Sequence, residues 1–483
     1  MDSVEAPAAV KPTSPHALVA LLDLRLSDCN EELLELQAAS RRLHEAYAPA
    51  RRQMYLLQSA LLRGDEATAS ETRRSLQQVV LPSNVVGESW SNAEARARFA
   101  ESNELGGFLE GYLTCLQLES FFSKGVLTMP WPQEWRTGID NVDDERYLLG
   151  LVGAVHGLER YAIGRARVLD LPSIRVAWRA TQCVEQAMLQ FDFRNSTLRH
   201  RYDSVKYVVK RLETIAYEVD LAQQRQSASL ASGTALTASA DPPSEAKEQA
   251  ETGTAVDLAL FGEMKERYDK FTDTRDQVIK RSRDVGKAAK NAVYALQRAD
   301  FKKADGNLAL CAKEANSIWQ EHVSTALTLR SGGFTGALEE VAEAVAYRAF
   351  LKEQKLLTRA ELQKASGLSF ELTIPEYLGG LMDLTGEVGR LAIRKASAGR
   401  EAVGDVEKCL ACVEGVFQGV QDLVYLPGGV GKKMGALRST LLKIEGVLYE
   451  LALLSHAGIR AAKAPEPAQP RDDAAQADDS AGL

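Results

Sequence analysis

Apolar residues recur along this chain at steps of three and four, in two long blocks separated by a polar stretch. In the first block, Leu21, Leu22 and Leu24 are followed by Leu33, Leu34 and Leu36, then by Leu43, Ala46 and Tyr47. That spacing lines one stripe of a helix. The rhythm holds to about Ala222 and returns from Val256 to Ala462. Sustained alternation of apolar and polar residues, the mark of half-buried strands, is absent. The pattern predicts an all-α protein of two tandem helical bundles, over residues 15–222 and 256–462.

Between the blocks, residues 223–255 are rich in Ser, Thr, Ala and Gln, contain Pro242-Pro243, and hold almost no large apolar side chain. Such a segment buries too little surface to offset its ordering entropy, which predicts a flexible linker. Residues 1–14 and 463–483 are predicted to be disordered for the same reason.

The two blocks repeat one another at a shift of about 230 residues. RYLLGLVGAVHGLERYAI at 146–163 and EYLGGLMDLTGEVGRLAI at 376–393 share Tyr147/Tyr377, Leu148/Leu378, Gly150/Gly380, Leu151/Leu381 and Arg160/Arg390 in register. The stretches 109–128 and 338–357 share an apolar rhythm that includes Phe121/Phe350. The copies differ in their acids. Glu340, Glu343, Asp383 and Glu387 face Gly111, Thr114, Gly153 and Gly157 of the first block.

Glu340 and Glu343 are three apart and Asp383 and Glu387 four apart, so each pair projects from one face of its helix. Both segments are otherwise small or apolar, as core-facing helices are. Isolated acids at such spacing are ordinarily solvated, as expected for the neighbouring Glu339. Four buried together would repel one another. A hard divalent cation, Mg²⁺ or Mn²⁺, removes that penalty, because it prefers carboxylate oxygens. If the two helices face each other, these four residues describe a phosphodiesterase-type metal centre. A di-iron bundle requires Glu-x-x-His, and none of the six histidines has Glu three residues before it.

Composition narrows the partners. A hydrophobic share of 45% with 26% charged residues is that of a globular chain. No apolar run approaches the roughly eighteen residues of a membrane span, and no basic-apolar leader opens the chain, so neither secretion nor membrane insertion is expected. The six scattered cysteines read as reduced thiols, and Cys409-x-x-Cys412 lacks the second ligand pair of a zinc site. A net charge of -8 argues against broad coating of nucleic acid but leaves room for local basic surfaces. Candidate phosphate contacts are Arg73 and Arg74; Arg199, Arg201, Lys206 and Lys210; and Arg298, Lys302 and Lys303, although each cluster also fits a solvated helix face. Trp131 and Trp135 fit a helix connection better than a base-stacking platform. The segment from Gly428 to Lys433 departs from a phosphate loop, with Leu426 at the first glycine position and Lys433 where Ser or Thr belongs. It reads as a turn.

Residues 193–219, with the Leu-Arg-x-Arg-Tyr-Asp-x-x-Lys-Tyr run at 198–207, resemble the closing region of translin. VIKRSRD at 278–284, LEEVAEAV at 338–345 and EYLGGLMDLTGE at 376–387 follow the pattern of its relative, translin-associated factor X. The chain thus resembles a fusion of the two branches of the translin superfamily. The resemblance implies seven-helix bundles assembled into a hollow octameric barrel, with a Mg²⁺-dependent endoribonuclease site facing the cavity. It places that site on Glu340, Glu343 and Asp383, with Glu387 as the neighbouring acid, and makes the first block the non-catalytic, RNA-holding half. One departure is ARARFAESNELGG at 95–107, which carries acids and no histidine where translin has a His- and Arg-rich stretch.

The expected activity is cleavage of single-stranded or partly unpaired RNA, in small-RNA strand removal or transfer-RNA fragment processing, in cytoplasm or nucleus. Four fused chains are expected to supply the eight bundles, joined by linkers spanning roughly 30 Å. The rival expectations are a non-catalytic scaffold for single-stranded RNA or DNA, and a structural helical partner with no nucleic-acid affinity.

Overall fold

The computed structural model describes residues 26–78, 103–127, 144–194, 197–231, 256–427 and 429–457. The predicted disordered termini, residues 232–255 of the predicted linker, and Trp131 and Trp135 lie outside them. Every regular element among the described residues is helical. None of these helices is long and apolar enough to cross a membrane.

The first set comprises α1 (Ser27–Arg63), α2 (Glu66–Gln78), α3 (Asn103–Lys124), α4 (Asp144–Ala166), α5 (Leu171–Met188), α6 (Thr197–Tyr202) and α7 (Val205–Ala231). The second comprises α8 (Leu258–Gln297), α9 (Phe301–Ile318), α10 (Gly333–Glu353), α11 (Arg359–Ser366), α12 (Ile374–Ala396), α13 (Val403–Gln421) and α14 (Val430–Ala457). Local chemistry sets several starts. Asp170 and Asp300 accept from the backbone amides of Ser173 and Lys303. Thr358 with Glu361 and Thr373 with Glu376 form reciprocal capping boxes. Gly367, at φ 73°, ends α11 in the left-handed region that glycine tolerates.

The described residues divide into two compact units, one drawn from Glu31–Lys280 with Gln320–Ser331, the other from Met1–Asn30, Arg281–Trp319 and Gly332–Leu483. The division falls inside α1, after Asn30, and inside α8, after Lys280. Phe261 and Tyr268 of α8 join Phe191 and Phe193 in an aromatic cluster, with ring centroids 5.8–6.0 Å apart for Phe193–Tyr268 and Phe191–Phe261. Arg267 grips Asp144 at 2.8 Å, and Arg194 grips Asp273 at 2.7 Å. Residues 256–280 therefore cluster with the first unit, although periodicity alone ran them with the second. Likewise α7 extends to Ala231, so residues 223–231 are helical. Gln223 there donates to the Leu169 carbonyl at 2.6 Å, and the following Gln, Arg and Ala are good helix formers.

In the second unit α12 is the central helix, packed against α10, α13 and α14. Leu338, Val341, Tyr347, Tyr377, Leu381, Leu384 and Val388 are fully buried at these contacts. Each such side chain contributes roughly 1.5–3 kcal/mol of transfer free energy. All six cysteines are free thiols, five of them buried.

Candidate functional site

Gly380 lets α12 touch α10 backbone to backbone. A Cβ on Gly380 would lie 2.5 Å from the Ala342 Cβ and 2.8 Å from both the Glu339 carbonyl and the Glu343 amide nitrogen. A Cβ on Gly379 would lie 2.7 Å from the Glu339 carboxyl carbon. Real Cβ atoms do not approach backbone so closely, so position 380 is open only to glycine, whereas at 379 the Glu339 side chain would have to move. It sets the acids of α10 beside those of α12.

Glu343 is 9% exposed, and its carboxylate has no hydrogen-bond or ion-pair partner among the described residues. Burial, then the charges of Glu387, Asp383 and Glu340, push its carboxyl up to about 8, against a smaller pull from Arg390. The other three acids each hold a partner. Glu387, 5% exposed, accepts from Gln297 of α8 and from Arg390 one turn along α12. Glu340 pairs with Lys290 of α8 at 3.1 Å. Asp383 pairs with Lys433 of α14 at 2.5 Å, and Lys433 also reaches Glu339 at 2.7 Å and the Gly379 carbonyl at 3.3 Å. Burial lowers the Lys433 ammonium, but hydrogen bonds to Asp383 and Glu339 outweigh it and hold it above its ordinary value. One turn after Glu343, the buried Tyr347 hydroxyl is pushed up to about 12, chiefly by burial.

The four acids singled out in the sequence are thus neighbours in one unit. Glu339 is half-buried and tied to Lys433, so the expectation of a solvated acid does not hold for it. Lys433 lies within the first turn of α14. Its role was not legible from the motif it sits in, since a glycine-rich turn carries no sign of what its lysine reaches. As placed, no three acid, histidine or cysteine side chains among the described residues converge closely enough to hold one ion. Lys290, Lys433 and Arg390 draw three of the acids toward themselves. The donor set itself, carboxylate oxygens only, suits Mg²⁺ or Mn²⁺ rather than zinc or copper.

The first unit shows the same crossing without the acids. A Cβ on Gly150 of α4 would lie 2.5 Å from the Leu113 Cβ and 3.4 Å from the Glu110 carbonyl and Thr114 amide nitrogen, the counterparts of Glu339 and Glu343. Thr114, standing where Glu343 stands, donates to its own helix at Glu110 (2.9 Å) and across to the Gly150 carbonyl at 3.0 Å. A Cβ on Gly153 would meet the Thr114 Oγ1 at 2.3 Å, and one on Gly157 the Leu118 Cδ1 at 2.8 Å. Threonine and leucine side chains close the volume that carboxylates occupy in the second unit.

The predicted basic contacts divide. In the first unit Arg73 pairs with Glu119 at 2.5 Å and Arg201 with Glu110, while Arg199 and Lys206 both approach Asp203, at 3.7 and 3.8 Å. Arg74 and Lys210 are exposed. In the second unit Lys302 and Lys303 are exposed, and Arg298 lies 4.0 Å over the Tyr294 ring. A basic row that sequence reasoning missed is Arg283, Lys287 and Lys290 on α8, which lines a cavity of about 410 Å³ against the start of α10. Its i, i+4, i+7 spacing was the available signal.

The mouse (Mus musculus) Translin-associated protein X is 24% identical over 227 residues, 40% of this chain and 78% of the relative. The Pongo abelii protein of the same name is 22% identical over the same shares. A solved structure described as the crystal structure of apo-NeC3PO aligns at 20% identity and a TM-score of 0.34, covering 39% of this chain and 96% of that one. The Translin family profile matches twice, over residues 31–223 and 273–454, together well over half the chain. The chain belongs to the Translin family.

Proposed function

We propose that the second unit is a Mg²⁺- or Mn²⁺-dependent endoribonuclease acting on single-stranded or partly unpaired RNA, and that the first unit is its non-catalytic, RNA-holding partner. The observation that carries this reading is Glu343: a buried carboxyl with no base or donor of its own, facing three further acids. Burying such a group without compensation costs several kcal/mol, a cost that a bound cation removes. Family membership supports the nucleic-acid partner, since Translin-family proteins bind nucleic acids and form oligomers.

Glu340, Glu343 and Asp383 would hold the cation, with Glu387 beside them. A bound divalent cation supplies a more acidic water and offsets the charge that grows on a phosphodiester under attack. The chain supplies the rest. Glu343, whose carboxyl is pushed up to about 8 by burial and the neighbouring acids, would have to lose its proton to hold the cation. Gln297 and Arg390 fix the Glu387 carboxylate in place. Lys290 and Lys433 moderate the negative rim that would otherwise repel a phosphate. In the first unit, Thr114 and Leu118 fill the corresponding space, consistent with a supporting role. As one chain carries both halves, four chains would furnish an eight-bundle barrel.

End-labelled single-stranded RNA incubated with Mg²⁺ tests the reading, comparing the full chain with Glu343→Gln and Asp383→Asn. Loss of cleavage by at least tenfold to a hundredfold is expected in each, the usual scale for disturbing a metal's surroundings. Equal cleavage by all three proteins would remove the site assignment. One observation favours a second reading, a binding scaffold: three of the four acids already have basic or amide partners. That reading requires RNA retention that survives EDTA and no product with Mg²⁺.

A further inference from the structure

The cavity between α8 and the start of α10 lies outside the acid cluster yet shares one wall with it. Glu340 lines both, and the Lys290 ammonium stands 3.1 Å from its carboxylate. From there the cavity runs along α8 past Lys287 to Arg283, which are on the same face at i-3 and i-7. Arg283 and Lys287 are exposed and have no acidic partner among the described residues. In a chain of net charge -8, with most of its nearby bases already paired, two adjacent free cations in a concave site mark a place for an anion.

The opposite wall is backbone. Gly333, Gly336 and Ala337 of α10 present no side chain larger than a methyl, and a Cβ on Gly336 would meet no atom within 4 Å. Gly332 caps this helix with φ 81° and no side-chain acceptor. The amides of its first turn therefore have no capping side chain, and the helix dipole adds positive potential near that end of the wall. Basic side chains on one side and bare backbone on the other suit a phosphate. No aromatic ring or apolar platform lines the cavity, so nothing there stacks on a base.

We propose that this groove is a phosphate subsite for the RNA strand, holding by its backbone a nucleotide flanking the one at the acid cluster. The inference rests on the nuclease reading for the direction of the strand, but the groove binds whether or not the acids cleave. Arg283 and Lys287 supply the charge, and Lys290 marks the border where the strand passes from groove to acids. The contacts of Arg283 and Lys287 carry no sequence preference, because they are made to the phosphate.

The test is binding of a fluorescently labelled single-stranded RNA to the full chain carrying Glu343→Gln, read by anisotropy at several salt concentrations. Adding Arg283→Gln with Lys287→Gln is expected to weaken binding by about tenfold at low salt. The slope of log affinity against log salt should fall by about 1.4, the contribution of two contacts to a single strand. Gly336→Glu, whose Cβ would meet no atom within 4 Å, should weaken binding similarly, and Gly336→Ala should not. Unchanged affinity and slope in the double variant would overturn the subsite, as would displacement of RNA by inorganic phosphate far beyond its ionic strength, which would assign the groove to the free ion.

The two readings fail separately. A wild-type chain that cleaves, with a double variant of unchanged affinity and KM, ends the groove and leaves the nuclease standing. A chain that never cleaves, but loses affinity in the double variant, ends the nuclease and leaves the groove. A wild-type chain with no affinity for RNA ends both.

Discussion

The backbone nitrogen of Glu343 lies 2.8 Å from the point where a Cβ on Gly380 would stand. The carboxyl at the centre of the acid cluster is therefore positioned by the missing side chain of a residue on the facing helix. Gly380→Ala must push α10 and α12 apart, at a cost of about 1–3 kcal/mol for overpacking. Gly386, on the same helix with no atom within 4 Å of its would-be Cβ, provides the contrast. Gly386→Ala should leave stability unchanged or raise it by up to about 1 kcal/mol. Denaturant unfolding of both variants checks the pair, and equal effects would refute the close crossing.

Grafting the acids onto the first unit should fail. Gly153→Asp places a Cβ 2.3 Å from Thr114 Oγ1, and Gly157→Glu places one 2.8 Å from Leu118. The double substitution is expected to destabilise the first unit by at least about 1–3 kcal/mol and to add no Mg²⁺-dependent protection against heat. A stable variant with a second Mg²⁺ response would show that the two crossings are closer in shape than these contacts indicate.

Glu343 makes the second unit sensitive to alkali. Its carboxyl is raised from 4.5 to about 8, so between these values the folded chain holds a proton that the unfolded chain has lost. Folding stability is therefore greatest below the lower value, falls as pH rises, and loses this contribution above about 8. The thermal midpoint should drop more steeply toward alkaline pH in the wild type than in Glu343→Gln. Mg²⁺ must displace that proton, so its stabilising effect should grow with pH. Parallel pH profiles for the two proteins would contradict the assignment.

Lys433 competes with any cation for Asp383. It is half-buried, 2.5 Å from Asp383 and 2.7 Å from Glu339. Lys433→Met should lower the half-saturating Mg²⁺ concentration by roughly fivefold, corresponding to the ~1 kcal/mol typical of a partly exposed pair. With a chelator the same variant should unfold more easily, because two acids lose their partner. Lys432→Met, at an exposed neighbour, should change neither value. A raised Mg²⁺ requirement in Lys433→Met would mean that the lysine assists the ion rather than opposing it.

Much of this was legible without coordinates, because helices are local. Three- and four-residue apolar steps fixed the all-α class, and the internal repeat paired Gly150 with Gly380 before any contact was known. The crossing contacts of those two glycines, Glu110 and Thr114 in one unit and Glu339 and Glu343 in the other, have the same register. The four acids could be named because their counterparts were all absent from the other copy. The fate of each carboxylate could not, since it depends on residues distant in the chain. Lys433 is 50 positions from Asp383, and Gln297 is 90 from Glu387. Only packing brings those groups together, and so only the tertiary structure decided that Glu343 alone is left without a partner. The same holds for α8. Its periodicity continues unbroken from Leu258 to Gln297, but which core each stretch joins is decided by burial against residues such as Phe191 and Phe193. Periodicity specifies that a helix has an apolar face, and long-range packing specifies what that face meets.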